Sequence, residues 1–310
     1  MTKRISISPR LIKRIIKLSS EIGNTPLIPI RNLHENPNVA IYAKAEWNQL
    51  SGSIKARAAF NIIRHAIAQG ALDENRTLLD ATSGNTGIAY ATIGKELGIP
   101  VKLFLPENAT HERKEVLKSL GTDVVLTSKF GGTDDAQEEA AELAVSNPDK
   151  YFYASQYTND RNWRAHYYGT AEEILKQVPD ITHFTSGLGT TGTFTGTSRK
   201  LKEVNEDIKV ISLQPDFALH GLEGWKHLET AIVPSIYDST IADNHLEMQT
   251  ERAYAIIKKY YELEGLLLSP SSAANIAGAL DIANSIESGV IVTVLPDNAE
   301  RYRELLSRII

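Results

Sequence analysis

The chain has 310 residues, of which 42% are hydrophobic and 23% charged, a balance ordinary for a globular protein of about two domains. The formal net charge is −5 without a conspicuous basic run, so nucleic-acid binding has no electrostatic support, and the lack of cysteine excludes disulfides and thiolate chemistry. No apolar run is long enough to span a membrane and the N-terminus has no secretory h-region, so we expect a soluble, cytoplasmic protein that binds no membrane.

Short apolar runs alternate with longer amphipathic ones along the chain. The predicted strands are, in chain order, 41–46, 77–82, 101–106, 123–128, 151–155, 181–187, 209–215 and 290–297. Strands that alternate with helices predict βαβ units and largely parallel sheets. The fold class is therefore α/β with doubly wound domains, whose ligands sit where strands run into helices.

Two strand-to-helix turns are rich in glycine and hydroxyl residues. The first is Thr82-Ser83-Gly84-Asn85-Thr86-Gly87, where glycines permit close backbone approach and a helix start favours an anion. A plain helix cap needs only one such side chain, so this cluster favours a binding site. The second is Gly187-Leu188-Gly189-Thr190-Thr191-Gly192-Thr193, which predicts a phosphate cradle for the same reason.

The second turn has an alternative interpretation. It matches the dinucleotide pattern G-x-G-x-x-G, and Asp216 stands at the end of the next predicted strand. A nicotinamide-dependent oxidoreductase therefore remains open on this motif, although loops of this composition also hold simple phosphates.

A third segment, residues 51–57, places Lys55 at the start of a predicted helix. The positive end of a helix disfavours a cation and lowers the pKa of an amine, which suits a lysine that forms a Schiff base. A solvated surface lysine is the competing interpretation of this residue taken by itself.

Together these segments resemble the fold type II pyridoxal-phosphate (PLP) enzymes, and within them the cysteine synthases. The resemblance covers nearly the whole chain, and the segment 182–199 is most similar to the cysteine synthase B branch, which includes members that use O-phosphoserine. The other matching segments are 24–27, 51–55, 82–87, Gln156 in SQYTND, 264–274 and 296–302. Ser269 and Pro270 depart from the usual pattern, as does Ala56 after the lysine.

The resemblance implies a role for each matching residue. Lys55 would form the Schiff base with PLP and serve as the proton-transfer base. The cofactor phosphate would be bound by Gly189, Thr190, Thr191, Gly192 and Thr193. Asn85 would contact the PLP 3′-oxygen, and Ser271 the pyridine nitrogen, unless Ser271 and Ser272 only cap a helix. The substrate carboxylate would be held by Thr82, Ser83, Thr86 and Gln156. Lys226 would lie beside a phosphate leaving group, or else face solvent.

The resemblance also implies an organisation and a reaction. The expected small, mobile substrate-binding domain spans 46–150, and 1–45 plus 151–310 form the large PLP-binding domain, with PLP in the cleft between them and a homodimer as the assembly. The expected reaction is β-replacement on O-phosphoserine or O-acetylserine, with sulfide or the thiocarboxylate of a sulfur carrier as the nucleophile. Alternatives are a serine/threonine dehydratase-like elimination, a diaminopropionate synthase-like replacement and a silent binding protein. No metal is expected, because His166 and His183 lack a second ligand at metal spacing.

Overall fold

The computed structural model describes residues 7–82, 84–130 and 132–310, which fall into two compact units. Unit 1 consists of the described residues up to Gly23, Gln49–Ser51 and Lys55–Asn162. Unit 2 consists of Asn24–Asn48, Gly52–Ile54 and Trp163–Ile310. Each unit is therefore assembled from separate stretches of the chain.

Unit 1 has a parallel sheet with the strand order β5-β4-β3-β6. Its strands are β3 (Thr77–Ala81), β4 (Val101–Pro106), β5 (Asp123–Thr127) and β6 (Tyr151–Tyr153). Its helices are α1 (Pro9–Glu21), α2 (Lys55–Ala68), α3 (Asn85–Leu97), α4 (His111–Ser119) and α5 (Gly132–Ser146), and α6 (Arg161–Ala165) begins in it. Successive residues of a strand face opposite sides, so Leu78 packs in the core with α2 and α3, whereas Leu79 packs with Ala136 of α5.

Unit 2 has a larger sheet in the order β1-β2-β10-β7-β8-β9, parallel except where β1 runs antiparallel to β2. Its strands are β1 (Leu27–Pro29), β2 (Val39–Ala45), β7 (His183–Gly187), β8 (Lys209–Pro215), β9 (Asn244–Met248) and β10 (Gly289–Leu295). Its helices are α7 (Ala171–Gln177), α8 (Gly192–Val204), α9 (Thr250–Glu264), α10 (Pro270–Ser285) and α11 (Arg303–Leu306), with a π-helical turn at His166–Thr170 and 3₁₀ turns at Glu46–Asn48 and Ala299–Tyr302.

The predicted α/β class is confirmed, and each of the eight predicted strands overlaps one observed strand. The strands β1 and β9 were not predicted. Both lie at an edge of the unit 2 sheet, where β1 (LIP) has only three residues and β9 (NHLEM) is largely polar, so neither has the longer apolar run that reveals a buried strand.

The boundaries of the two units differ from the predicted division into one domain of residues 46–150 and another of residues 1–45 plus 151–310. α1 packs in unit 1, since Leu11 and Leu18 are buried in that unit's core. Residues 151–162 also stay with unit 1, because β6 pairs with β3. The mobility and the substrate-binding role of a smaller domain stay predictions. Within the described ranges, no helix has both the length and the apolar character needed to cross a membrane.

Candidate active site

The asparagine loop, residues 82–87, joins β3 to α3 in unit 1. The N-cap of α3 is Gly84, which has no side chain to cap the helix, so the hydroxyls of this loop are not spent on a conventional cap. Thr82 is buried, and its Oγ1 accepts a hydrogen bond from the Gly84 N–H at 3.2 Å. Asn85 begins α3 and is partly exposed, while Ser83 lies outside the described residues.

Gln156 ties the asparagine loop to the segment that follows β6 in unit 1. Its Nε2 donates to the Ala81 carbonyl at 3.0 Å, and its Oε1 accepts from the Thr86 hydroxyl at 2.7 Å. Its own carbonyl accepts from Asn162 Nδ2 at 2.7 Å. The structure therefore brings together Thr86 and Gln156, two residues predicted to bind the substrate carboxylate.

Asp80 is a buried acid behind this loop that sequence reasoning missed. Its Oδ1 accepts from the Ala81 N–H at 2.9 Å, and its Oδ2 accepts from the Gln156 N–H at 3.2 Å. Burial raises the pKa of Asp80 to about 7, although the hydrogen bonds from Ala81 and Gln156 oppose that rise. A carboxyl group that titrates near neutral pH is unusual and is often found near functional sites.

Lys55 is the first residue of α2, as the sequence predicts, and is partly buried. The two residues before it are pinned within unit 2. Ser53 forms an isolated antiparallel bridge with Asp297, and the Ile54 N–H donates to the Pro296 carbonyl at 2.8 Å. The backbone that leads into Lys55 is therefore fixed by hydrogen bonds, which suits a side chain that must be held in one place.

The glycine loop, residues 187–193, joins β7 to α8 in unit 2. A Cβ on Gly189 would lie 2.1 Å from the Gly224 carbonyl oxygen, and a Cβ on Gly187 would lie 1.9 Å from the Trp225 ring. Neither position can therefore carry a side chain without moving the segment packed against it. Trp225 is consequently a packing residue of this loop, and it is buried.

Thr191 occupies the N-cap position of α8, but its side chain makes no capping hydrogen bond. Its backbone has a φ of +68°, and its side chain is only 2% exposed. Within the described part of the chain, its Oγ1 has no hydrogen-bond partner. A buried hydroxyl without a partner costs about 1–3 kcal/mol, so an acceptor from a ligand at this helix start would recover that loss. Thr190 is also buried, and Thr193 Oγ1 lies 3.4 Å from Nε2 of the buried His166.

This loop fits a phosphate monoester. A phosphate supplies three strong acceptor oxygens and negative charge, which match an unpartnered hydroxyl and the positive end of a helix. The 13-residue α8 is long enough to have a well-defined N-terminus. The donor set of the loop therefore fits a phosphate group such as that of PLP.

Ser271 lies in the first turn of α10, near a buried carboxylate. The helix cap is Ser269, whose Oγ accepts from the Ser272 N–H at 3.2 Å, so Ser271 is not needed as a cap. The Ser271 Oγ lies 3.5 Å from Oδ1 of Asp297. The other carboxylate oxygen, Oδ2, accepts from the Tyr302 hydroxyl at 2.8 Å. The hydroxyl predicted to face the pyridine nitrogen is thus buried in a polar cluster.

Lys226 lies next to the glycine loop through its backbone. Its N–H donates to the Leu188 carbonyl at 2.7 Å, and its partly buried side chain donates from Nζ to the Ile232 carbonyl at 3.4 Å. The backbone contact places Lys226 beside residues predicted to bind phosphate. The side chain itself contacts the Ile232 carbonyl, and its role at a charged leaving group stays a prediction.

Comparison with known proteins places the chain among PLP enzymes. The model of the family described as "pyridoxal-phosphate dependent enzyme" matches residues 18–297. A cysteine synthase from Aquifex aeolicus is 42% identical over 93% of this chain and 90% of the relative, and cysteine synthase B from Escherichia coli is 34% identical over 92% and 93%.

Solved structures agree with these relatives. The O-acetylserine dependent cystathionine β-synthase from Helicobacter pylori has a TM-score of 0.87 at 29% identity, covering 93% of this chain and 96% of that one. A hydrogen sulfide-producing enzyme from Fusobacterium nucleatum has a TM-score of 0.86 at 33% identity, covering 92% and 98%. The predicted fold type II architecture is confirmed.

Proposed function

This chain belongs to the family of pyridoxal-phosphate dependent enzymes and, within it, to the cysteine synthases, and we propose that it replaces the β-substituent of O-phosphoserine or O-acetylserine with a sulfur nucleophile. The cofactor is pyridoxal 5′-phosphate. The observation that carries the proposal is the buried, unpartnered Thr191 hydroxyl within the described residues, at the start of α8 in a loop where Gly189 leaves no room for a side chain. That loop has the donors of a phosphate site. The match to the family of pyridoxal-phosphate dependent enzymes spans residues 18–297, and it argues against the alternative of a nicotinamide-dependent oxidoreductase.

Four groups of this chain would hold the cofactor. The glycine loop from Gly189 to Thr193 would bind the phosphate, Asn85 would contact the 3′-oxygen, Ser271 the pyridine nitrogen and Lys55 the aldehyde carbon. When bound, PLP withdraws electrons from the substrate Cα and so allows the β-substituent to leave and another to be added. A neutral hydroxyl at the pyridine nitrogen suits this β-chemistry better than transamination.

The chain's own residues handle the proton and the carboxylate. Lys55 Nζ takes the proton from the substrate Cα, and its position at the start of α2 favours the neutral amine that this step needs. The substrate carboxylate binds at the asparagine loop. The Thr86 hydroxyl donates to Gln156 and so is fixed in place, and the donors for the carboxylate are the N–H groups at the start of α3 and the second Nε2 hydrogen of Gln156.

The assembly and location complete the proposal. A homodimer, a cytoplasmic location and a sulfur carrier as an alternative to free sulfide follow from the resemblance to cysteine synthases. One further nucleophile is favoured by the relatives, because an O-acetylserine dependent cystathionine β-synthase from Bacillus subtilis is 32% identical over 93% of this chain. A larger thiol in place of sulfide is therefore the second candidate.

The test is a reconstitution with purified protein and PLP. We expect a yellow enzyme whose absorption spectrum changes on addition of O-phosphoserine or O-acetylserine, and which forms cysteine when sulfide is then supplied. Release of pyruvate and ammonia without capture of sulfide would show a lyase and refute the proposal. Offering a larger thiol in a parallel reaction separates the two candidate nucleophiles.

A further inference from the structure

Asp80 holds two strand ends of unit 1 together. Its two carboxylate oxygens accept from the N–H groups of Ala81, at 2.9 Å, and Gln156, at 3.2 Å. Ala81 ends β3 and leads into the asparagine loop, whereas Gln156 follows β6, which pairs in parallel with β3. One rigid side chain, fully buried, therefore sets the spacing between the loop and the Gln156 backbone.

The carboxylate also acts through the Gln156 side chain. Asp80 accepts from the backbone N–H of Gln156, and Asn162 donates to its backbone carbonyl. With both backbone groups fixed, the side-chain amide of Gln156 has few available orientations. That amide spans from the Ala81 carbonyl to the Thr86 hydroxyl, at 3.0 and 2.7 Å. The chain of contacts Asp80–Gln156–Thr86 thus ends at the start of α3, where the proposed function places donors for the substrate carboxylate.

We propose that Asp80 is a positioning residue for the substrate carboxylate, acting by fixing Gln156 and, through it, Thr86. The inference rests on the proposed function, because it explains how the residues that bind the substrate carboxylate in that function are held in their orientation. It adds a residue that contacts neither substrate nor cofactor but whose acceptors determine where the donors of the asparagine loop point.

The chemistry of the pocket favours this role over plain packing. Burial, and further the charge of Asp80, raise the pKa of three tyrosines, Tyr90, Tyr153 and Tyr157. Burying a carboxyl group is costly, and an apolar side chain would serve better if only strand packing were needed. What an apolar residue cannot supply is two acceptor oxygens, one for each N–H.

The first experiment substitutes Asp80→Asn in the PLP-loaded enzyme. Asparagine is nearly isosteric but offers one acceptor oxygen, so its NH₂ must face one of the two N–H donors. We expect KM for the activated serine to rise on the order of ten- to a hundred-fold, the effect of one misdirected charge-assisted contact. The bound-PLP absorption and the kinetic constants for sulfide should stay unchanged. Asp123→Asn is the matched control, because that carboxyl pairs with Lys102 on the sheet surface at 2.6 Å, and its KM should match wild type.

Several outcomes would overturn the proposal. An unchanged KM for the activated serine in Asp80→Asn is one, and an equal loss across both substrates and PLP binding, as a general structural defect would give, is another. If Asp80→Asn does not fold, Thr86→Val cuts the same chain of contacts at its far end, and an unchanged KM there is equally decisive against it. Wild-type enzyme that turns over neither activated serine would instead refute the proposed function, so the two failures are distinguishable.

Discussion

Raising the pH should destabilise unit 1 through a single buried group. Burial raises the pKa of Asp80 from 3.8 to about 7. Between those two values the folded state retains a proton that the unfolded chain has already released. Stability therefore falls as the pH rises from about 4 to about 7, and it levels off above that range.

The size of the effect follows from the two pKa values. One pKa unit corresponds to about 1.4 kcal/mol, so the shift from 3.8 to about 7 amounts to about 4 kcal/mol of lost stability once Asp80 is fully ionised. For a domain of this size that corresponds to a fall in Tm of about 10 °C. Two half-buried histidines give the opposite slope, because partial burial lowers the pKa of His183 and of His220. The comparison must therefore be made against a variant that lacks only the carboxyl group.

The assay is thermal or urea unfolding of wild type and Asp80→Asn at pH 5 and pH 8.5. At pH 5 the variant should be less stable by about 1–3 kcal/mol, because one buried N–H loses its acceptor. At pH 8.5 the gap should close or reverse, since wild type then carries a buried charge that asparagine does not. Parallel stability profiles for the two proteins would refute the assignment of a neutral-range pKa to Asp80.

Three further predictions concern the cofactor and the first substrate. Borohydride reduction followed by peptide mapping should place the pyridoxyl group on Lys55, and Lys55→Ala should abolish turnover; a label on another lysine would contradict this. Gly189→Ala should lower PLP affinity on the order of a hundred-fold, since the new Cβ would lie 2.1 Å from the Gly224 carbonyl and displace the loop by about 1 Å; an unchanged affinity would contradict the phosphate role of this loop. Lys226→Ala should reduce kcat/KM for O-phosphoserine selectively by on the order of ten- to a hundred-fold. Equal losses with O-acetylserine would remove Lys226 from the leaving-group site.

The parallel sheets and several residues of the candidate site can be predicted from local sequence. The alternation of short apolar runs with amphipathic ones predicts the parallel sheets, because strand and helix periods are properties of neighbouring residues. The glycine loop and the asparagine loop are visible for the same reason: glycine, threonine and asparagine cluster where a strand runs into a helix. Lys55 at the start of α2 belongs with them, since a lysine at the wrong end of a helix stands out in the sequence.

Tertiary structure determines which residues hold the loops of the site in place. In the run TLLDAT, Asp80 reads as one more strand residue, and its partner Gln156 lies 76 residues further along the chain. Likewise, the need for glycine at 189 depends on the Gly224 carbonyl packed against it, and the capping role of Ser269, a departure from the family pattern, appears only once α10 is formed. Local patterns reveal which backbone conformations and donors are available. Which buried polar groups meet depends on strand register and on segments distant in sequence, and burial, not residue type, moves the pKa of Asp80.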